Sequence, residues 1–297
     1  MEQRHLEEIK KRFPDVRSED LGEHDAGWDY FVCSVKEHTA FRFPRNEHYA
    51  RQLPNEVTFL REFAPICPVR VPVPTLQTLP DGSPYVTYDF IPGEPFSVES
   101  ATGFTRSDLW GIAVQLGMFL SALHSYPPER VTRLGFQRTD VIAAHENRIC
   151  ETEKLVFPLM NKVEQKWLTE RLDLFRVIVS QCPLRVRPTH TDLLPEHMII
   201  DPQAHRLNGV IDYGDLELND PAVDFTFLSH YGQDFLNAVY ANYLPQRDEL
   251  FETRRQLYDD FLYVLNLKHM VEKGYSAKIP FLKKQLSDHI LIAQRAE

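Results

Sequence analysis

His190-Thr-Asp-Leu-Leu-Pro-Glu-His197 is the most informative segment of this chain, and Ile211-Asp-Tyr-Gly-Asp215 follows it, with the first aspartates of the two segments twenty positions apart. The runs 198–201 and 207–212 are apolar, end in Asp and are separated by a polar turn, which is typical of a small β-hairpin. A carboxylate at the end of a buried strand is costly to desolvate unless a partner or a metal ion compensates it. The repetition therefore indicates a functional site.

The chain before this region has the pattern of a small sheet with one helix. Aromatic and β-branched residues predict strands over 28–35, 39–43 and 84–91, and a short polar turn joins the first two into a hairpin. Apolar residues spaced as on one helical face predict a helix over 46–63, which carries Glu56 near its middle.

A boundary between two lobes is predicted at Pro92-Gly93, because these residues break regular structure. Residues 1–91 would form a small sheet-plus-helix N-lobe, and residues 92–297 a larger, mainly helical C-lobe with a central core helix over 107–125. The fold class that follows is α+β.

The composition is that of a soluble globular chain, with 43% hydrophobic residues among 297. The formal net charge of −10 disfavours a nucleic acid partner and suits a cationic ligand. No signal-peptide pattern and no membrane-spanning window is visible, so we expect a cytoplasmic protein without membrane attachment. Without heptads or a large apolar stripe, a monomer or weak dimer is expected. The cysteines lack metal-site spacing and are expected to be reduced thiols: Cys33, Cys67, Cys150 and Cys182.

Phosphoryl transfer needs a base that orients the acceptor, a cation between the phosphates, a positive group on the non-transferred phosphates and a platform for the purine. Asp192 is the candidate base for a substrate hydroxyl. His197 and Asp212, on facing arms of the predicted hairpin, are candidate ligands of one Mg²⁺ ion. Imidazole is an unusual ligand for magnesium.

The segments around Asp192, His197 and Asp212, followed by Asp220-Pro221, resemble the catalytic and magnesium motifs of the aminoglycoside phosphotransferase family. The resemblance is closest to the 2″-aminoglycoside phosphotransferases, with the macrolide 2′-phosphotransferases next, because both groups have His where most relatives have Asn after the catalytic Asp. It covers nearly the whole chain. It implies a bilobal protein-kinase-like fold with a nucleotide-binding N-lobe and a catalytic, substrate-binding C-lobe.

The N-lobe residues are assigned to nucleotide binding through the same resemblance. Arg42 stands where kinases usually have a lysine, and it would hold the α- and β-phosphates while Glu56 orients it by an ion pair. Tyr88, Asp89 and Ile91 correspond to the hinge that hydrogen-bonds the purine. Relatives with Tyr at the position of Tyr88 favour GTP, so the donor is expected to be GTP or ATP. The stretch 27–30 resembles the family's nucleotide loop, and the glycine-containing region 22–27 before it matches neither a P-loop nor G-x-G-x-x-G.

An aminoglycoside is a polycation, so its enzyme needs carboxylates near the base. The candidate substrate ligands are Glu196, Asp215, Glu217, Asp259 and Asp260. One departure weakens this assignment, since Ser229-His-Tyr-Gly-Gln233 stands where 2″-phosphotransferases have acidic residues. A macrolide would need fewer carboxylates and more aromatic side chains, for which the candidates are Phe225, Phe227, Tyr231, Phe235 and Tyr240.

Two further functions stay open at this point. One is a small-metabolite kinase for homoserine, choline or methylthioribose, which His197 disfavours. The other is a non-catalytic kinase-like binding module, which is disfavoured by the joint presence of Asp192, His197, Asp212, Arg42 and Glu56. Turnover of an acceptor would exclude the binding module, and the identity of that acceptor would separate the enzymes.

Overall fold

A computed structural model describes residues 1–24, 29–181 and 184–296 of the chain. Cys182, expected to be a reduced thiol, and residues 25–28, which include the first two residues of the expected nucleotide loop, lie outside this range. The strands are β1 Leu21–His24, β2 Tyr30–Val35, β3 Thr39–Pro44, β4 Thr75–Thr78, β5 Pro84–Asp89, β6 Glu94–Pro95, β7 Arg187–Thr189, β8 Met198–Asp201, β9 Arg206–Val210 and β10 Glu217–Asn219. The helices are α1 Gln3–Arg12, α2 Glu47–Phe63, α3 Val98–Ala101, α4 Arg106–Ser125, α5 Pro128–Arg133, α6 Val141–Leu155, α7 Lys162–Gln181, α8 Gln233–Ala241, α9 Phe251–Glu272 and α10 Ile279–Ala296.

The largest sheet has five antiparallel strands in the order β1-β2-β3-β5-β4. The hairpin predicted from residues 28–35 and 39–43 is confirmed as strands β2 and β3, and its turn residues Lys36 and Glu37 have φ angles of 51° and 53°. Positive φ at both central residues gives the twist that joins two antiparallel strands without splaying them. In the resulting register, Arg42 lies opposite Val32 on β2 and Val86 on β5.

The two faces of this sheet carry different partners because side chains alternate along each strand. Phe31, Phe41 and Phe43 form a buried cluster with Ile9 of α1 on one face. Burial of each such phenylalanine contributes about 1.5–3 kcal/mol, so α1 is a structural part of the sheet. On the other face, Tyr30 and Val86 pack against Leu53 and Val57 of α2. Arg42 belongs to this second face, as the alternation of strand β3 predicts.

Helix α2 begins at Asn46, whose side-chain oxygen accepts hydrogen bonds from the backbone N–H groups of His48 and Tyr49 at 3.0 and 3.2 Å. This cap satisfies two donors that would otherwise lack an intrahelical partner. The fixed start sets the helical phase that places Glu56 beside Val57 on the buried side. The helix predicted over 46–63 is therefore confirmed.

Contacts between residues group the chain into two compact units, and the lobe boundary predicted after Ile91 stays a prediction. Unit 1 contains residues 1–137, 187–218 and 228–245. It includes the five-stranded sheet, helix α4 packed on α8, and a three-stranded sheet in the order β6-β8-β9 that contains the predicted hairpin. Unit 2 contains residues 138–186, 219–227 and 246–297.

Unit 2 is helical, with α9 packed against α6, α7 and α10. Its centre is a buried ion pair between Arg254 and Asp220 at 2.6 Å, to which Tyr258 adds a hydrogen bond at 3.0 Å. Asp220 also accepts the backbone N–H of Ala222 at 3.2 Å, which gives it a structural role. Among the residues that the structure covers, no helix is both long and apolar enough to cross a bilayer.

Candidate active site

Arg42 is the centre of a buried charge network in unit 1. Its guanidinium contacts Glu56 and Asp212, each at 2.5 Å, and it lies 3.4 Å from the centre of the Tyr30 ring. Arg42 and Glu56 are only 5% and 4% exposed. The structure thus joins the predicted pair and adds two partners. Burial raises the pKa of Glu56 although Arg42 opposes that shift. Burial would also raise the pKa of Asp212, but Arg42 and then His197 outweigh it and lower the pKa.

The loop before Asp192 is held against the segment that carries Asp212. The buried His190 donates from Nε2 to the carbonyl oxygen of Ile211 at 3.0 Å. The hydroxyl of Thr191 donates to the carbonyl oxygen of Asp215 at 2.8 Å. His190 therefore braces the loop, as its sequence position suggests, and both contacts fix Asp192 relative to Asp212.

His197 has a defined tautomer because its ring makes one backbone hydrogen bond. Nδ1 donates to the carbonyl oxygen of Asp192 at 2.7 Å, so the lone pair of the neutral ring is at Nε2. Nε2 lies 3.7 Å from Oδ2 of Asp212, whose other oxygen contacts Arg42. A histidine that binds a metal through one ring nitrogen usually donates a hydrogen bond from the other to a carbonyl or carboxylate oxygen, as His197 does here.

This pair of atoms fits a magnesium ion. Two ligands at about 2.1 Å from one octahedral ion lie about 3.0 Å apart when adjacent and about 4.2 Å apart when opposite. Nε2 of His197 and Oδ2 of Asp212 are 3.7 Å apart, so a small side-chain adjustment would bring both onto one ion. Within the described ranges, no three His, Cys, Asp or Glu side chains converge as a metal site. Two protein ligands suit magnesium, which keeps waters and substrate phosphates as its other ligands.

Asp192 has an unusually basic carboxylate. Burial raises its pKa to about 6, His197 opposes the shift, and Asp212 and Glu196 add to it. The side chain keeps 39% of its surface exposed, so a substrate could reach it. A carboxylate with a pKa near neutrality is suited to accept a proton from an acceptor hydroxyl.

Further carboxylates surround Asp192. Asp215 is exposed, and its pKa is raised to about 7 by partial loss of solvent and then by repulsion from Asp192 and Asp29. Glu196 is exposed and Glu217 is partly buried. Asp29 was missed by the sequence analysis because it lies within an aromatic stretch that predicts a strand. Its coupling to both Asp192 and Asp215 marks it as part of the same acidic region.

Asp259 and Asp260 belong to unit 2, where cations of the same unit face them. Asp260 contacts His289 at 2.7 Å and Arg171 at 3.3 Å, and Asp259 lies 4.0 Å from Arg255. Both carboxylates are only about 15% exposed. Their role as substrate ligands stays a prediction, and these ion pairs give them a structural role.

The hinge residues show three different environments. Tyr88 lies on the face of the sheet that carries Arg42, and burial raises its pKa to about 12. Asp89 is exposed and Ile91 is buried. Phe90 donates its backbone N–H to the carbonyl oxygen of His38 at 2.9 Å, which ties the hinge to the turn between β2 and β3.

The aromatic residues considered for a macrolide ring are largely part of the core. Phe225 and Phe235 are buried, at 0% and 3% exposed. Tyr231 stacks on Phe96 with 4.4 Å between ring centres and donates its hydroxyl to the Phe96 carbonyl oxygen. Phe227 and Tyr240 are partly buried. Phe225 and Phe235 thus belong to the core, and the role of these aromatic residues in binding a macrolide stays a prediction.

Comparisons with known proteins agree with this geometry. The structure resembles aminoglycoside 2′-phosphotransferase-IIIa in its GDP complex, with a TM-score of 0.85, 23% identity and 96% of each chain covered. It also resembles APH(2″)-IIIa in complex with GDP and kanamycin, with a TM-score of 0.86, 22% identity and coverage of 97% and 98%. Macrolide 2′-phosphotransferase MphH from Brachybacterium faecium gives 0.73, 19% identity and coverage of 95% and 97%.

At these identities the likeness establishes the fold. It confirms the expected protein-kinase-like architecture and the expected order of resemblance, with 2″-aminoglycoside enzymes ahead of macrolide enzymes. No curated protein matches the chain by sequence at a significant level. The phosphotransferase enzyme family (APH) matches residues 20–257, which is most of the chain. The chain therefore belongs to the phosphotransferase enzyme family.

Proposed function

We propose that this protein is a magnesium-dependent kinase that transfers the γ-phosphoryl group of GTP or ATP to a hydroxyl of an aminoglycoside, most closely of the 2″ type. The observation that carries the proposal is the arrangement around Asp212. One oxygen contacts the buried Arg42, and the other faces the free lone pair of His197, beside the basic carboxylate of Asp192. Phosphoryl transfer needs this combination of a base, a cation site and a phosphate-binding cation.

Each residue has a chemical role in this proposal. The proton of the acceptor hydroxyl moves to Asp192 while the hydroxyl oxygen attacks the γ-phosphorus. The bond from that phosphorus to its bridging oxygen breaks, and the nucleoside diphosphate leaves. Arg42, oriented by Glu56 and Tyr30, holds the non-transferred phosphates. Magnesium between His197 and Asp212 would neutralise charge on the phosphate oxygens.

The donor is bound in the proposed scheme by the backbone at Asp89 and Ile91, with Tyr88 against the purine. We favour GTP because of Tyr88, and two similar solved structures contain GDP. A third, an APH(2″)-IIa, contains ATP with streptomycin, so ATP remains the second donor to test. The lobe boundary after Ile91, a cytoplasmic location and a monomeric or weakly dimeric state are parts of the same proposal.

The acceptor is proposed to be a polycation because acidic side chains cluster around the base. Asp29 and Asp215 couple electrostatically to Asp192, as Glu196 also does, and Glu217 couples to Asp215. Bringing these carboxylates together costs free energy, and a cationic ligand offsets that cost. A macrolide has one amine and needs an apolar wall, whereas Phe225 and Phe235 are buried in the core.

A phosphorylation assay tests the proposal. GTP and ATP are each offered with kanamycin, gentamicin, erythromycin, homoserine or choline in the presence of magnesium. Turnover of kanamycin or gentamicin is expected. Turnover of erythromycin alone would overturn the aminoglycoside assignment, and turnover of homoserine or choline alone would point to metabolic kinases. Nucleotide binding without any turnover would favour a non-catalytic module.

The variant Asp192→Asn is the matched test of the base. It should lower turnover by about 10²–10⁴-fold and leave nucleotide affinity unchanged, because it removes only the proton acceptor. Asp234→Asn is the control, since Asp234 is an exposed carboxylate of helix α8 in the same unit. Full turnover by Asp192→Asn would remove this residue from the role of base.

A further inference from the structure

A cavity of about 680 Å³ lies behind the hinge, in unit 1. Thr87 of strand β5 lines it and meets helix α1, because Nη1 of Arg12 donates to its hydroxyl at 2.9 Å. Val86, the neighbour of Thr87, pairs with Arg42 and packs on the opposite face. Since successive side chains of a strand point to opposite faces, the part of the cavity that Thr87 lines is on the face away from the Arg42 network, whereas Tyr88, on the Arg42 face, also contributes to the lining.

The wall of this cavity combines apolar and cationic side chains. Val69, Val71 and Ile91 form buried apolar parts, each 8% exposed or less. Arg12 and Arg70 line the same space and are both exposed. Its volume lies in the range of about 300–1,000 Å³ that small-molecule sites occupy.

The two arginines are available to a ligand. Across the residues that the structure describes, neither Arg12 nor Arg70 has a carboxylate within ion-pairing distance, although the chain has a net charge of −10. Asp89 is the single acidic side chain that lines the cavity. The cavity therefore has an excess of positive charge on a protein that otherwise repels anions.

We propose that this cavity binds a small organic anion whose carboxylate or phosphate group is held by Arg12 and Arg70 and whose apolar part packs on Val69, Val71 and Ile91. The acceptor proposed above is a cation, and Arg42, which would hold the donor phosphates, lies on the opposite face of strand β5 from Thr87. The hinge residues Tyr88, Asp89 and Ile91 are shared, because they line this cavity too. We take the anion to be a third molecule because Arg12 and Arg70 lie apart from the Arg42 network. Its binding does not depend on the proposed reaction.

The cavity is connected to the candidate active site by direct contacts. The carbonyl oxygen of Arg70 accepts the backbone N–H of Val210 at 2.9 Å, two residues before Asp212. A Cβ on Gly209 would lie 2.8 Å from that same oxygen, so the backbone at Arg70 packs directly against the backbone at Gly209 and leaves no space for a side chain. Ile91 belongs to the predicted hinge. A ligand in the cavity is thus expected to change nucleotide binding.

Cys67 provides a test because it lines the cavity and is partly exposed. The test uses a variant that carries Cys150→Ser and Cys182→Ser, in which Cys33 and Cys67 remain. Cys33 is fully buried, so labelling is expected at Cys67. Sulfonatoethyl and trimethylammonioethyl methanethiosulfonates react with a thiol in the same way, since each forms a mixed disulfide with release of methanesulfinate, and the groups that they attach are opposite in charge. At low ionic strength and fixed pH, the anionic reagent should label Cys67 at least about fivefold faster.

Two controls make this ratio informative. Cys150, which is exposed and belongs to unit 2, should react faster with the cationic reagent in a Cys67→Ser variant, because it experiences the net negative charge. The double substitution Arg12→Gln and Arg70→Gln should bring the ratio at Cys67 to about one or below. A ratio of one or below in the parent would overturn the proposal.

Equilibrium binding gives an independent test with octanoate and octyl phosphate as the two anionic probes, and with octylammonium and 1-octanol as charge controls. At least one anion should protect Cys67 from labelling by a neutral methanethiosulfonate, and Arg12→Gln with Arg70→Gln should weaken its affinity at least about tenfold. Equal protection by octylammonium, or none by either anion, would overturn the anion site. Circular dichroism confirms that the variant is folded.

The coupling to the nucleotide is tested separately, and it rests on the proposed function. The Michaelis constant for GTP is measured with and without a saturating anionic probe. A changed constant in the parent that is unchanged in the arginine variant supports the coupling. An unchanged constant while the probe protects Cys67 overturns the coupling and leaves the binding site in place.

Discussion

The ion pair between Arg42 and Glu56 should determine the stability of unit 1 far more than any surface pair. Both side chains are about 95% buried, and their contact of 2.5 Å replaces the water that each group loses on folding. Breaking a buried pair by removing one partner costs about 3–5 kcal/mol, whereas replacing both partners with apolar groups costs far less. The physical reason is that the remaining charge is left buried without a partner.

Two features of the structure reduce this cost for Glu56→Gln. Arg42 keeps its contact with Asp212 and its position over the Tyr30 ring, and the glutamine oxygen can still accept a hydrogen bond. We therefore expect Glu56→Gln to lower the free energy of unfolding by about 2 kcal/mol and Arg42→Met by about 4 kcal/mol, since Arg42→Met leaves Glu56 without a cation. The double variant should lose less than the sum, by about 2 kcal/mol.

Urea unfolding followed by tryptophan fluorescence measures these values, and Arg51→Met with Glu47→Gln is the control. Arg51 and Glu47 are both on helix α2, which also carries Glu56, but they are exposed. Each substitution should therefore cost less than about 0.5 kcal/mol. The reasoning would be refuted if the loss of unfolding free energy in the double variant equalled the sum of the losses in Glu56→Gln and Arg42→Met. It would also be refuted if either single variant lost as little as the variants of the exposed pair.

Three further outcomes are expected. Gly117→Ala in helix α4 should destabilise the protein by about 2 kcal/mol or more, because a Cβ would lie 2.6 Å from a backbone oxygen of helix α8. Gly111→Ala, also in helix α4, meets no atom within 4 Å and should stabilise the protein by up to about 1 kcal/mol. Thermal unfolding compares the two variants. Asp212→Asn should abolish the magnesium dependence of GTP binding in calorimetry, and retained dependence would place the ion elsewhere. The base form of Asp192 is the carboxylate, so kcat/KM should fall as the pH drops through about 6, and a profile flat from pH 5 to 8 would contradict its role.

Much of the fold could be predicted because its elements carry strong local patterns. The alternation of Phe41 and Phe43 with Arg42 fixed both the strand and its two faces. The strands β1 and β4 were missed, because each has four residues and lies at an edge of the sheet with little burial. Their positions depend on pairing with a neighbour, and a single short segment does not reveal its partner.

The candidate site was predictable where its residues stand close together in sequence. Asp192, His197 and Asp212 share one segment and one hairpin, so their proximity follows from local geometry. Asp29 was missed because its relation to them exists only in the folded chain. Asp260 was predicted to be a substrate ligand. Its contacts with Arg171 and His289 were not predicted, because those residues lie on helices far from it in the sequence.

The acidic site gains its chemistry from the unequal distribution of cations among its carboxylates. Asp212 alone contacts Arg42, and its lowered pKa keeps it anionic, as a metal ligand must be. Asp192 lies 3.4 Å from the imidazole of His197. Burial raises the pKa of Asp192 to about 6, which leaves it basic enough to accept a proton yet ionised at neutral pH. Asp215 lies beside other carboxylates, and its pKa of about 7 means that a cationic group would be needed to hold it fully charged. In the proposed mechanism, the contact between Arg42 and Asp212 would separate these three aspartates into a metal ligand, a base and a site for a cation.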